Sequence, residues 1–119
     1  MSRAPYVRPI SAREWVFRHP RYVRYMVREF SCLFLGGWTL LMVWGLKALS
    51  EGPGPWAAFL QLLKSPAGVV FQLVTLAFAL YHSVTWFNLT PQALPVPFIA
   101  VAHYALWVVV SLAILASAF

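Results

Sequence analysis

The stretch REFSCLFLGGWTLLMVWGLKAL, residues 28–49, decides the fold because it is long and apolar enough to cross a bilayer as one helix. A spanning helix takes roughly 17–25 residues. Two further stretches have the same character: PAGVVFQLVTLAFALYHSVTWFN at 66–88 and PFIAVAHYALWVVVSLAILASAF at 97–119. Lipid offers the backbone no hydrogen-bonding partners, so a short spanning segment has to be helical. The sequence therefore predicts an all-α membrane protein with three transmembrane helices.

The composition supports a lipid environment and argues against a nucleic-acid-binding protein. Only 10% of the residues are charged, whereas soluble domains carry about a quarter. No Lys, Arg, Asp or Glu follows Lys64. Nucleic-acid-binding proteins carry basic residues on a folded, water-exposed face. Here the arginines precede or open the first apolar stretch, so we expect membrane lipid as a partner and no nucleic acid.

The charge distribution predicts the orientation of the chain in the membrane. Segment 1–27 contains most of the arginines, and the positive-inside rule assigns it to the cytoplasm. With three spans, the C-terminus is then periplasmic. Arg21, Arg24 and Arg28 share one helical face, where like charges repel each other. Lipid phosphate and an acidic surface of a cytoplasmic partner both remain candidates for the compensating anion.

The two connections between the spans have different characters. Residues 50–65 begin with SEGPGP, which stops a helix, and continue as a short interfacial helix in the outer loop. We expect that helix to be amphipathic, with one face formed by Trp56, Phe59, Leu60 and Leu63 and another carrying Gln61 and Lys64. Residues 89–96 contain prolines and are predicted to form an irregular cytoplasmic loop.

This topology brings four chemically active residues to the cytoplasmic level: Arg28, Glu29, His82 and Trp86. A polar stripe along the second span should face protein rather than lipid, and it comprises Gln72, Thr75, Ala79, His82 and Trp86. We expect Glu29 to face inwards and Arg28 to point towards the surface, because adjacent helical residues diverge around the axis. Cys32, the single cysteine, is expected to be a small buried residue.

These residue types suit the binding of a quinone, which needs apolar walls, donors to its carbonyl oxygens and groups that exchange protons. We expect Glu29 to accept protons and His82 to form a hydrogen bond or relay a proton. Arg28 would orient the ring electrostatically, and Trp86 would pack against it. None of these side chains carries electrons, so a redox centre has to come from another chain.

Four ordered motifs resemble the C-subunit of bacterial quinol:fumarate reductase, which is a membrane anchor. They are PYVRPIS (5–11), YMVRE (25–29), GLKAL with GPGPWAAFL (45–60) and HSVTWF (82–87). The resemblance implies a non-catalytic subunit in the inner membrane, with a flavoprotein, an iron–sulfur subunit and a second membrane anchor as partners. It also implies menaquinol oxidation in anaerobic respiration, with Arg28, Glu29, His82 and Trp86 at positions implicated in quinone binding and proton transfer.

Three points stay open after the resemblance. The link before the third span is shorter and richer in proline than the resemblance implies. No haem is expected, but a succinate dehydrogenase-like haem between His82 and His103 is an alternative, as is a purely structural anchor. Gly36 and Gly37 are candidate points of close approach to the second anchor.

Overall fold

The computed structural model describes Pro5, Pro9, Ser11 and residues 13–119, and within these residues it contains helices and no strand. Nine residues of the predicted cytoplasmic segment 1–27, among them most of the PYVRPIS motif, therefore lie outside the described residues. The helices are α1 (Glu14–Phe17), α2 (Pro20–Glu51), α3 (Pro53–Lys64), α4 (Pro66–Ala93) and α5 (Ile99–Ala118). Three of them, α2, α4 and α5, are long and apolar enough to cross a membrane. The predicted fold class is confirmed.

Helix α2 begins before the first span and ends at the predicted break. Pro20 occupies the first turn, where its missing N–H costs nothing, and His19 caps the helix by accepting a hydrogen bond from the Arg21 backbone N–H (3.1 Å). The helix stops at Gly52, whose φ of 119° is a conformation that favours glycine. Residues 28–49 are thus one continuous piece of a longer helix.

Helix α4 extends further than the sequence predicted. Ser65 caps its start by accepting a hydrogen bond from the Gly68 N–H (3.1 Å). The helix continues through Pro91 to Ala93, so the prediction of an irregular loop beginning at residue 89 was wrong. A proline in the last turn removes one backbone hydrogen bond without interrupting a longer ladder behind it. The irregular link is confined to residues 94–98.

The three long helices form an open row. Antiparallel helices α2 and α4 make the main contact, α3 packs against both, and α5 contacts α4 alone among the described helices. Only five residues of the helices are buried: Ser31, Gly45, Ala48, Phe59 and Thr75. Most apolar side chains of these helices are exposed on the chain and so face lipid or other subunits.

At one end of the row, α3 fits closely against α2 and α4. Phe59 is 4% exposed and stacks on Trp56, with ring centroids 5.5 Å apart. A Cβ on Gly45 would come within 2.6 Å of the Phe59 ring, and a Cβ on Gly68 would collide with the Leu62 carbonyl oxygen. We call Gly45, Phe59 and Gly68 the packed end. The predicted amphipathic face of α3 is confirmed, since Gln61 and Lys64 are exposed.

Candidate functional site

The other end of the α2–α4 pair is joined by polar side chains. Ser31 on α2 is fully buried, and its hydroxyl donates to the backbone carbonyl of Arg28 one turn earlier. The Ser31 Oγ also lies 2.9 Å from Nδ1 of His82 on α4. A serine hydroxyl has one proton to donate. Because that proton goes to Arg28, Nδ1 of His82 donates to Ser31, and in the neutral ring Nε2 keeps its lone pair.

Arg28 points inwards, towards α4. Its guanidinium lies 5.0 Å from the centre of the Trp86 ring and 5.3 Å from that of Tyr25, which is cation–π geometry. Its Nε is buried and has no hydrogen-bond partner among the described residues. Among the described residues, the Arg28 guanidinium is therefore held by its two aromatic contacts and not by an ion pair.

Glu29 is exposed, whereas Arg28 faces α4, so the prediction that Glu29 faces inwards while Arg28 faces outwards was wrong. Successive helical residues are about 100° apart. Ser31 and Arg28 both face α4, and this fixes the rotation of α2 about its axis and turns Glu29 away. The sequence alone predicted that the two side chains diverge but not which of them faces the neighbouring helix.

The structure thus brings together three of the four predicted site residues: Arg28, His82 and Trp86. The His82 and Trp86 rings are 6.3 Å apart on consecutive turns of α4, and Trp86 remains 45% exposed. Glu29 is next to Arg28 in sequence but outside this group. We call Arg28, Ser31, His82 and Trp86 the polar end.

Sequence reasoning missed Ser31 and two tyrosines. Tyr81 donates its hydroxyl to the Arg24 backbone carbonyl (3.1 Å), a second hydrogen bond between α2 and α4. Tyr25 forms the other aromatic contact of Arg28. Ser31 lies three residues after Arg28 and so about one turn further along the same face of α2. That spacing could have predicted Ser31 as a site residue. Cys32 is exposed, contrary to prediction, because the adjacent Ser31 is the residue that faces α4.

The predicted polar stripe of α4 faces protein along much of its length. Gln72 donates through Nε2 to the carbonyl oxygens of Leu63 (2.9 Å) and Gly68 (3.2 Å), which joins α4 to α3. Thr75 is 5% exposed. The stripe therefore serves packing at one end and carries His82 and Trp86 at the other.

His103 belongs to a different contact from that of His82. It stacks flat on Phe87, with ring centroids 5.4 Å apart and an angle of 10° between the planes, where α5 meets α4. Nδ1 of His103 is buried and has no partner within the part of the chain that the structure describes. His82 instead faces α2 through Ser31. A haem held by both histidines would have to bridge two separate helix contacts.

Comparison with known proteins identifies the family. The family model described as the fumarate reductase C-subunit matches residues 1–119. The fumarate reductase C-subunit of Mycobacterium tuberculosis (strain CDC 1551 / Oshkosh) is 36% identical over 115 residues, which cover 89% of this chain and 90% of that protein. With its three membrane-spanning helices, this chain belongs to the fumarate reductase C-subunit family and is a membrane anchor of that complex.

Proposed function

We propose that this chain attaches the flavoprotein and iron–sulfur subunits to the bacterial inner membrane and contributes its polar end to the menaquinol oxidation site. The observation that carries the proposal is the grouping of a cation, an aromatic wall and a histidine with a free ring nitrogen at one level of the α2–α4 pair. The second membrane anchor and the iron–sulfur subunit complete the site. The N-terminus is cytoplasmic in this arrangement, and the C-terminus is periplasmic.

The residues of the polar end fit the requirements of a quinol. Bound menaquinol supplies two electrons and two protons. Trp86 gives a flat apolar wall, and the guanidinium of Arg28 above it donates to a ring oxygen. Nε2 of His82 accepts a hydrogen bond or a proton, while Ser31 fixes the orientation of the imidazole. The electrons pass to the iron–sulfur subunit, because none of the side chains of the polar end carries them.

Glu29 lies on the outer wall of the proposed site. An ionised carboxylate on the apolar surface of a spanning helix is costly unless a partner or water covers it. Its exposure on this chain therefore supports contact with a neighbouring subunit or a water-filled path. We assign Glu29 the role of a second proton acceptor, reached around α2 rather than from between the helices.

The test compares two electron donors in the assembled complex. In the Glu29→Gln variant, fumarate reduction driven by a menaquinol analogue should fall about a hundredfold, the low end for loss of a general base. Reduction driven by an artificial donor to the other subunits should be unchanged. Glu51→Gln is the matched control, since Glu51 is an exposed carboxylate near the packed end, paired with Lys47 at 3.7 Å. Unchanged menaquinol turnover in Glu29→Gln removes Glu29 from the mechanism.

A second candidate is a purely structural anchor, and the contacts between α2 and α4 favour it. The Ser31–His82 hydrogen bond and the stacking of Arg28 on Trp86 both hold the two helices together. On this reading, His82→Ala and Trp86→Ala lower the yield of assembled complex but leave the KM for menaquinol unchanged. If the site proposal is right, both variants raise that KM or lower kcat in the complex that does assemble.

A further inference from the structure

A cleft of about 770 Å³ lies between α1, the start of α2 and the end of α4. Three arginines line it: Arg21, Arg24 and Arg28. Aromatic side chains form much of the remaining wall, among them Trp15, Tyr22 and Tyr81, and no Asp or Glu is found among the described lining residues. We call this feature the basic cleft. Its volume is in the range of small-molecule sites, roughly 300–1,000 Å³.

We propose that the basic cleft binds the headgroup of an anionic phospholipid. Three guanidinium groups on one face repel each other unless an anion lies among them. Among the described residues, the single ion pair is Lys47–Glu51 at the far end of α2, so this part of the chain offers the three arginines no carboxylate. Guanidinium matches the geometry of phosphate oxygens through paired N–H donors.

The location favours a lipid over a free anion. The cleft lies where α2 passes from its arginine-rich first turns into the apolar stretch that begins at Phe30. A phospholipid places its phosphate at such a boundary and its chains alongside the apolar surface beyond. Trp15 and Tyr22 contact each other edge to face, with ring centroids 5.8 Å apart, and form a mixed aromatic wall suited to that level.

A hydrogen bond within this chain joins two walls of the cleft. The Tyr81 hydroxyl bonds to the Arg24 carbonyl and so joins α4 to α2 across the site. Gln92, on the last turn of α4, lines the cleft with an exposed amide that can donate to a phosphate oxygen. His82 and Trp86 do not line it, and only Arg28 belongs to both the cleft and the polar end. Lipid binding can therefore be tested separately from menaquinol oxidation.

The test counts phospholipids retained by the purified complex after a detergent wash, by native mass spectrometry and lipid extraction. The Arg21→Gln/Arg24→Gln variant should lose an anionic phospholipid that the parent complex keeps. The variant lacks two cations at the membrane surface. Its affinity for phosphatidylglycerol, measured with the complex in nanodiscs, should therefore be about thirtyfold lower than that of the parent complex. The matched control is Arg13→Gln/Lys64→Gln, which removes the same charge from two residues outside the cleft lining.

Each outcome decides for or against the proposal. Equal lipid retention by the two double variants overturns it. Binding of inorganic phosphate by a parent complex that retains no anionic phospholipid also overturns it, because that result would indicate a free-anion site. Loss of the iron–sulfur subunit at unchanged lipid content would assign the arginines to a protein contact instead. If the double variant does not assemble, Gln92→Glu, which places an acid at the mouth of the cleft, should by itself lower the phosphatidylglycerol content.

Discussion

The two ends of the α2–α4 pair are built by opposite means. At the packed end, glycines let helices approach closely, and Phe59 fills the space beneath Gly45. At the polar end, Ser31 and His82 meet through a hydrogen bond, and Arg28 lies over Trp86. Ser31 and Gly45 are about 21 Å apart along the same helix, at 1.5 Å per residue.

The two ends differ in whether their side chains find all their partners within this chain. The packed end is satisfied within the chain, because its side chains are apolar and its small residues are in contact with other helices. The polar end keeps a buried Arg28 Nε without a partner among the described residues and a half-exposed Trp86, and the exposed carboxylate of Glu29 lies beside this group. Polar groups at membrane depth are costly unless they find partners. The packed end therefore stabilises the chain, and the polar end is left for ligands and other subunits to complete.

The largest expected effect is on stability, from Phe59→Ala at the packed end. Removing a buried phenylalanine leaves a cavity among Gly45, Trp44 and Trp56 and should cost about 3 kcal/mol. The melting temperature of the purified complex should fall, while turnover of the folded fraction with either electron donor stays normal. Phe119→Ala, at a fully exposed terminal residue, is the control. Selective loss of menaquinol turnover in Phe59→Ala would contradict the claim that the packed end contributes to stability and not to menaquinol oxidation.

A slightly smaller loss of stability is expected from Gly68→Ala. The added methyl group would meet the carbonyl oxygen of Leu62 and come within 2.9 Å of that of Leu63, so backbone has to move. We expect a cost of about 2 kcal/mol, measured as a lower melting temperature. A Cβ added at Gly54 would lie in open space, so Gly54→Ala should leave the melting temperature unchanged or raise it, since alanine favours the helical conformation. Equal behaviour of the two variants would show that α3 and α4 do not approach as described.

The smallest effect on stability should come from Ser31→Ala at the polar end. It removes one interhelical hydrogen bond, which is worth about 0.6 kcal/mol on average in membranes. Menaquinol turnover should fall more than this implies, because His82 loses the group that fixes its tautomer. Ser50→Ala is closely matched, since Ser50 also donates to a backbone carbonyl three residues earlier but joins no second helix among those described. Unaltered turnover in Ser31→Ala would mean that the tautomer of His82 is irrelevant to activity.

Much of the fold could be predicted from the sequence because lipid restricts it so strongly. Apolar length predicted the three spans, and the Gly-Pro breaks predicted the start of α3 and the end of α2. The continuation of α4 past residue 88 was not predicted, because proline usually ends a helix, whereas Pro91 lies within the last turn of α4. The open row of helices was not predicted either, since α5 is apolar along most of its length and its few polar residues do not indicate which helices it contacts.

For the site, the sequence predicted the depth of the residues in the membrane but not the rotation of α2 about its axis. Topology alone placed Arg28, His82 and Trp86 near one another, and the structure brings these three together. The choice between Arg28 and Glu29 as the inward residue depends on which side of α2 meets α4. Ser31 decides it, because within the described residues the one hydrogen bond between side chains of these two helices is its bond to His82. A single small polar residue in an apolar stretch does not predict the rotation of its helix until its hydrogen-bond partner is known.

Photolabelling with a reactive menaquinone analogue tests the central claim most directly, since the label can attach at either end of the α2–α4 pair. The assembled complex is labelled, and the modified peptides of this chain are mapped by mass spectrometry. We predict attachment within residues 25–31 and 81–86, reduced by excess unlabelled menaquinone. Competed labelling confined to residues 45–68, or found only on other subunits, would contradict the assignment of the polar end to menaquinol.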